Sequence, residues 1–277
     1  KLRVVIDWFE NQIVDKGWNA GFNKFYPKIT TIGYRGLIPS LHYLCTYPSI
    51  MENSSGILPS KIVVIGKGFI DSTREFATTL NVESSPAFRF QNVWNVSPSK
   101  PDPSYYTILV ALSIINEESL NILKLVKECL KTTVSNNLRF LIKPHPSMTV
   151  EKLKKEFVGS WTKEFKIVQG SSDDYIPKSD ILISGGATSI CLETIALGIP
   201  VIVVENLERL NYNTIPEKIP QDLWRSCRTS NEIKSAIEFY RNRSDEEFIR
   251  HKEIGSKIKK DYFEPVTKES VFKFLML

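Results

Sequence analysis

Two stretches of the chain combine residue types that could hold and orient an anionic ligand. In Lys143-Pro144-His145-Pro146 a cation and an imidazole follow the apolar run Leu138-Arg-Phe-Leu-Ile, and the two prolines stop that run and leave His145 in an extended turn. In the second stretch Asp180-Ile-Leu-Ile-Ser184 ends in Gly185-Gly186, after which Thr188, Ser189 and Glu193 open an amphipathic helix running to Leu197-Gly198. A strand, a glycine turn and a helix start form an anion site, because free backbone N–H groups and the positive dipole end point at whatever docks there. The hydroxyls of Thr188 and Ser189 add donors. Glu193 falls on the same helix face as Ser189 in an otherwise apolar segment, so its carboxylate needs a donor. A sugar hydroxyl would serve, and so would a neighbouring Lys or Arg. The structural alternatives are a plain tight turn at Gly185-Gly186 and a helix cap at Ser189.

A second chemistry is available near the start of the chain. Asp7 and Glu10 follow the strand-like Leu-Arg-Val-Val-Ile at its carboxyl end, where open α/β sheets place ligands. Either could act as a general base or as a nucleophile. Their structural reading is an N-cap and a capping-box partner for the helix that follows. Asp15, Lys16 and Arg35 are further charged groups suited to ligand contact or to a plain surface role. Asp173-Asp174 stands just after a strand, but adjacent carboxylates on a turn diverge, so the reading is a loop lining the pocket and no metal site.

The elements that must position these groups alternate regularly. Strands are expected at residues 3–6, 28–34, 61–65, 138–143, 165–168, 180–184 and 200–204, and Tyr106 to Ser113 begins a new α/β run. Helices are expected at 10–25, 71–80, 120–132, 150–157, 231–241 and 245–260. Such alternation implies parallel sheets covered on both faces. Ser84-Ser85-Pro86 and the segment Ser97 to Pro103 bracket a hinge-like break, which divides the chain at residues 1–96 and 97–277.

Composition excludes several classes. The 277 residues carry 36 basic and 31 acidic side chains, net +5, without a dense basic run interleaved with aromatics, so nucleic acid is not an expected partner. Lys252 to Lys260 is locally basic and reads either as a solvated helix face or as peripheral contact with an anionic membrane. No apolar run approaches the ~20 residues of a membrane span. Cys45, Cys129, Cys191 and Cys227 lack metal-ligand spacing, and reduced thiols in a cytoplasmic protein explain them. The chain starts at Lys1 directly on a strand-like run, so an upstream portion of the first lobe is expected to be missing.

The Lys143-Pro-His-Pro146 turn, Gly185-Gly-Ala-Thr-Ser189, Glu193 and Gly198-Ile-Pro200 together resemble the nucleotide-binding half of GT-B glycosyltransferases. The resemblance is strongest to enzymes of bacterial surface polysaccharide assembly that use cytidine nucleotides, such as Kdo and sialic acid transferases. Asp7 to Gln12, Thr31 to Gly36 and Leu58 to Gly66 resemble the latter part of the acceptor domain of the same families. The resemblance implies an α/β protein of two Rossmann-like lobes, with residues 1–96 on the acceptor side and 97–277 binding the donor. It implies His145 and Pro146 against the nucleotide, Lys143 near its phosphate, Gly185, Gly186, Thr188 and Ser189 around the anion, and Glu193 on the ribose. Catalysis falls to Glu10 or Asp7. The implied reaction moves Kdo or a related sugar acid from a CMP donor to a glycan or glycolipid acceptor in the cytoplasm, without metal or other cofactor, and peripheral contact with the inner membrane is the alternative that the basic run leaves open. The alternatives are a UDP-sugar 2-epimerase on the same scaffold and a non-catalytic nucleotide- or glycan-binding domain.

Overall fold

A computed structural model of the chain describes residues 2–98, 102, 104–132, 137–157, 161–208 and 210–276. It divides into two compact units, residues 1–94 with 258–277, and residues 95–257.

The first unit carries a parallel sheet in simple order, built from β1 (Val4–Trp8), β2 (Thr30–Arg35), β3 (Lys61–Val64) and β4 (Val82–Ser84). Between them lie α1 (Ile13–Phe25), α2 (Ile50–Ser54) and α3 (Ile70–Thr73), and a short α4 (Asn92–Asn95) follows. The central strands β2 and β3 are almost wholly buried, whereas β1 is an outer strand on which Ile6 and Trp8 are exposed. Registers Asp7↔Gly33 and Tyr34↔Val63 align the carboxyl ends of three strands, so Trp8 to Asn11, Arg35-Gly36 and Ile65-Gly66 leave the sheet on one edge.

The second unit contains β5 (Tyr106–Ala111), α5 (Asn116–Thr132), β6 (Leu138–Lys143), α6 (Val150–Glu156), β7 (Phe165–Ile167), β8 (Ile181–Gly185), α7 (Ile190–Ala196), β9 (Val201–Val204), β10 (Trp224–Cys227) and α8 (Ser230–Arg241). Its six strands are all parallel in the order β10-β9-β8-β5-β6-β7. The chain winds outward from β5 through β6 to β7, then returns to the other side of β5 and winds the opposite way, which is the doubly wound Rossmann order. Alternate residues explain the two covered faces. Ile108, Val110, Phe140, Ile142, Ile181, Ile183, Ile202 and Val204 pack with Ile122, Leu123 and Val126 of α5 and Ile233, Ile237 and Tyr240 of α8. Leu109, Leu141, Leu182, Val201 and Val203 are buried on the other face.

Helix α9 (Asp245–Tyr262) runs from the second unit into the first, where α10 (Lys268–Leu275) ends the chain. The first unit thus ends at Trp94 and takes up residues 258–277 again after α9, whereas the sequence reading set a single division at 96/97. Backbone bonds fix this return: Glu264 N–H donates to Ile65 O at 2.6 Å, Ala87 N–H to Glu264 O at 2.9 Å, and Trp94 Nε1 to Phe263 O at 2.9 Å.

Several expected elements differ. The helix expected from residue 10 begins at Ile13, because Asp15 Oδ2 accepts from Gln12 N–H at 2.9 Å and so sets the first turn. The helix expected over 71–80 stops at Thr73, where Arg74 turns its guanidinium onto Leu80 O (3.0 Å) and Val82 O (3.2 Å). Those bonds also support β4, which occupies part of the Ser84-Ser85-Pro86 break. Strand β10 and helices α2 and α10 were not expected. Of the hinge at Ser97 to Pro103, residues 99–101 and 103 lie outside the described residues.

Candidate functional site

In the second unit the edge formed by the carboxyl ends of β5, β6 and β8 is the point where the winding direction reverses, and open α/β sheets bind ligands at such a point. Lys143 and Ser184 are both registered to Ala111, one from each side of β5. The Lys143-Pro146 turn and the Gly185-Ser189 turn therefore leave the sheet at the same level on strands flanking β5, roughly 10 Å apart at two strand spacings. The two motifs read from the sequence are brought together by the topology.

Lys143 is buried, its Nζ donates to Pro144 O at 2.9 Å, and burial lowers its pKa. His145 is half-buried. Its Nδ1 accepts from Ser147 N–H at 3.2 Å and lies 2.7 Å from Ser147 Oγ, so the neutral ring carries its proton on Nε2. Burial first, and then the charge of Lys143, lower the His145 pKa, which keeps the ring neutral at pH 7. The side chain is thus a one-proton donor aimed away from its own turn. Pro146 is exposed.

Gly186 is fixed by close approach. A Cβ there would stand 2.2 Å from Tyr212 O, and Gly186 O accepts from Thr214 N–H at 2.9 Å and Thr214 Oγ1 at 3.1 Å. Thr214 Oγ1 also lies 2.8 Å from Thr188 O, so the segment after β9 clamps the glycine turn. Ser189 occupies the N-cap position of α7 without a side-chain cap bond, which leaves its hydroxyl for another partner. Thr188, Ser189 and Glu193 are all half-buried. Helix α7 is not amphipathic as expected. Six of its seven residues are buried, and Glu193 is the exception, because the helix is enclosed on all sides by the second unit's core.

One functional candidate escaped sequence reasoning. Glu118, in the first turn of α5, reaches the same edge: a Cβ on Gly185 would meet its Oε1 at 2.2 Å, and its Oε2 is buried without a hydrogen-bond partner. A first-turn glutamate is so ordinary on a helix that no pattern distinguishes it; only the missing Cβ of Gly185, 67 positions away, admits it. Asp173 and Asp174, by contrast, follow the outer strand β7, two strands from β5. Among the described residues no group of three or more His, Cys, Asp or Glu is placed to hold a metal ion.

In the first unit Asp7 and Glu10 stand at the carboxyl end of β1, and neither caps α1: Gln12 holds the N-cap position and Asp15 supplies the capping carboxylate. Glu10 receives Trp8 Nε1 at 2.6 Å on one oxygen and Gln12 Nε2 at 2.9 Å on the other, which orients the carboxylate while leaving lone pairs on both. Asp7 accepts from Asn19 Nδ2 at 3.3 Å on Oδ2, and its Oδ1 is buried without a partner. Burial raises its pKa to about 6, with Asn19 opposing and Asp15 adding to the rise. Lys16 pairs with Glu52 at 2.5 Å, which accounts for its charge structurally.

No protein-family model and no curated protein matches the sequence. Solved structures do match its fold. S. aureus MnaA, in a co-structure with UDP, is similar with a TM-score of 0.64 at 13% identity over 99% of this chain and 76% of that one. A Listeria monocytogenes protein described as a candidate UDP-N-acetylglucosamine 2-epimerase is similar with a TM-score of 0.62 at 12% identity over 98% and 72%. A glycosyltransferase from Rickettsia africae ESF-5 gives 0.62 at 11% identity over 99% and 75%. The fold is thus α/β with two Rossmann-like lobes of the GT-B type, shared by glycosyltransferases and UDP-N-acetylglucosamine 2-epimerases.

Proposed function

We propose that the chain is a glycosyltransferase that uses a nucleotide sugar. The observation that carries this reading is the convergence of Lys143, His145 and Gly185 to Ser189 at the winding reversal of the second lobe. There Lys143 and the Nε2 proton of His145 hold the donor phosphate, the hydroxyls of Thr188 and Ser189 add donors, Pro146 borders the nucleoside, and Glu193 accepts from the ribose. Glu10 in the first lobe takes the acceptor proton or attacks as nucleophile. It is the more open of the two carboxylates, since Asp7 Oδ1 is buried.

The donor follows from charge. At this edge Lys143 is a cation, burial lowers the His145 pKa, and Glu118 and Glu193 are acids, so a phosphodiester with one negative charge suits it better than a diphosphate with two. That favours a CMP sugar, of the Kdo or sialic acid type that the sequence motifs resemble, with a surface glycan or glycolipid as acceptor. The free thiols of all four cysteines support a cytoplasmic reaction, and no helix among the described residues is long and apolar enough to cross a membrane. The second reading is a UDP-sugar 2-epimerase, favoured by the fold likeness to a UDP-bound structure. Melting curves with CMP, CDP, UMP, UDP and GDP separate the two, because a ligand that binds the folded form raises the melting temperature. CMP should raise it most. A rise with UDP alone would discard the CMP donor and promote the epimerase.

A further inference from the structure

Arg35 is the last residue of β2, on the ligand edge of the first sheet, and it is among the largest fully buried side chains of the protein at 2% exposure. Its Nη1 donates to Thr73 Oγ1 at 3.3 Å, while its Nη2 is buried with no hydrogen-bond partner. Thr73 donates its own proton to Phe69 O at 2.8 Å, so it meets the guanidinium as a neutral acceptor and offsets none of its charge. Among the described residues Arg35 forms no ion pair. The Tyr47 ring lies 5.7 Å from the guanidinium carbon, and the fields of Tyr47 first and then of Glu10 oppose the effect of burial without pairing with it. Burial lowers the Arg35 pKa to about 10, which leaves the group charged at neutral pH.

A buried charge without a counter-ion is among the most unfavourable arrangements a core can hold. Guanidinium groups bind carboxylate and phosphate through parallel N–H donors, and sheet edges of this kind are where α/β proteins keep such ligands. The connection from Gly36 to Ser49 has a single 3-10 turn at Leu44–Thr46, and it lays Tyr47 against the guanidinium. Ser40, in the same connection, has a buried hydroxyl without a partner. Long irregular connections of this sort are commonly binding loops.

We propose that Arg35 is the anchor of an oxyanion-binding site in the first lobe, filled by a carboxylate or phosphate group of a ligand that the Gly36 to Ser49 connection encloses. The site stands on its own geometry and does not depend on the donor nucleotide bound by the second lobe.

The test uses the full chain carrying His145→Ala, which weakens phosphate binding at the second-lobe edge, with Arg35→Met added in a second protein. Melting temperatures are measured with inorganic phosphate and with glucuronate, each against sodium chloride at equal ionic strength. The Arg35 protein should show a saturable rise of about 3 °C at tenfold saturation, and Arg35→Met should abolish it. The larger of the two responses assigns the source as phosphate or carboxylate. Arg35→Met should also melt no lower than its parent, because it removes an uncompensated buried charge at similar volume. No saturable response to either anion in the Arg35 protein overturns the proposal, as does a response that survives Arg35→Met. A variant that unfolds or melts well below its parent makes Arg35 a structural residue and overturns it too. CMP, tested with the His145-intact chain with and without Arg35→Met, reports the second lobe separately, so failure of the donor reading is distinguishable.

Discussion

Replacing Asp7 by asparagine isolates one electrostatic strain in the first lobe. The Asp7 pKa rises from 3.8 to about 6 on folding, chiefly through burial. A rise of this size corresponds to about 3 kcal/mol, and screening by the solvent that reaches this half-buried group reduces the effect to about 1–2 kcal/mol. The folded state holds the proton more tightly than the unfolded state. This contribution to stability is therefore fully present below the unfolded pKa of 3.8 and is lost as pH rises through about 6. Asparagine keeps the shape and cannot ionise. Its amide can also donate to Asn19 Oδ1, which is buried without a partner beside Asp7. Urea unfolding followed by tryptophan fluorescence at pH 4, 6 and 8 measures the outcome. At pH 8, Asp7→Asn should be more stable than the parent by about 1–2 kcal/mol, a rise of roughly 3–6 °C in melting temperature. At pH 4 most of that difference should be gone. Parallel pH profiles, or a variant weaker at pH 8, would refute the reasoning and leave Asp7 as an ordinary solvated carboxylate.

Three further outcomes are expected. Glu10→Gln should leave nucleotide affinity intact and lower sugar transfer by roughly 100-fold or more; since Glu10 does not cap α1, a fall in activity cannot be traced to helix stability, and turnover within a few-fold of the parent rejects the catalytic role. His145→Ala should weaken the melting response to nucleotide while moving the melting temperature of the free protein by no more than about 2 °C, because among the described residues its ring bonds only to the neighbouring Ser147. Gly198→Ala should lose about 2 kcal/mol or more in urea unfolding, because Gly198 has φ +74° and a Cβ would stand 2.8 Å from Lys252 Cα; an unchanged midpoint would show that α9 yields at this crossing.

Much of the architecture was legible in the sequence because local chemistry specified it. Apolar runs of strand length alternating with helical patterns were enough to infer parallel sheets, and Ile108, Val110, Phe140 and Ile142 do form a buried face. The Lys143-Pro146 and Gly185-Ser189 motifs were visible as punctuation, prolines and glycines ending apolar runs, and both lie where strands end. The short elements were not legible. β4 and β10 have three and four residues, and their existence rests on pairing with β3 and β9, which no local pattern encodes. The same holds for α7, whose enclosure on every side depends on what packs around it.

Tertiary structure alone decided which groups share an environment. It placed Lys143 and Ser184 in register on either side of β5, returned residues 258–277 to the first unit, and left Glu118 against the bare Gly185. It also separated charges that the sequence presents alike. Lys16 found Glu52 at 2.5 Å, whereas Arg35 was sealed behind Tyr47 with one nitrogen unpartnered, and Asp7 was buried far enough to hold its proton to about pH 6. The physical reason is common to these cases. Periodicity and turn chemistry act over a few residues and can be read along the chain, but desolvation and charge pairing depend on neighbours that only the folded chain brings near.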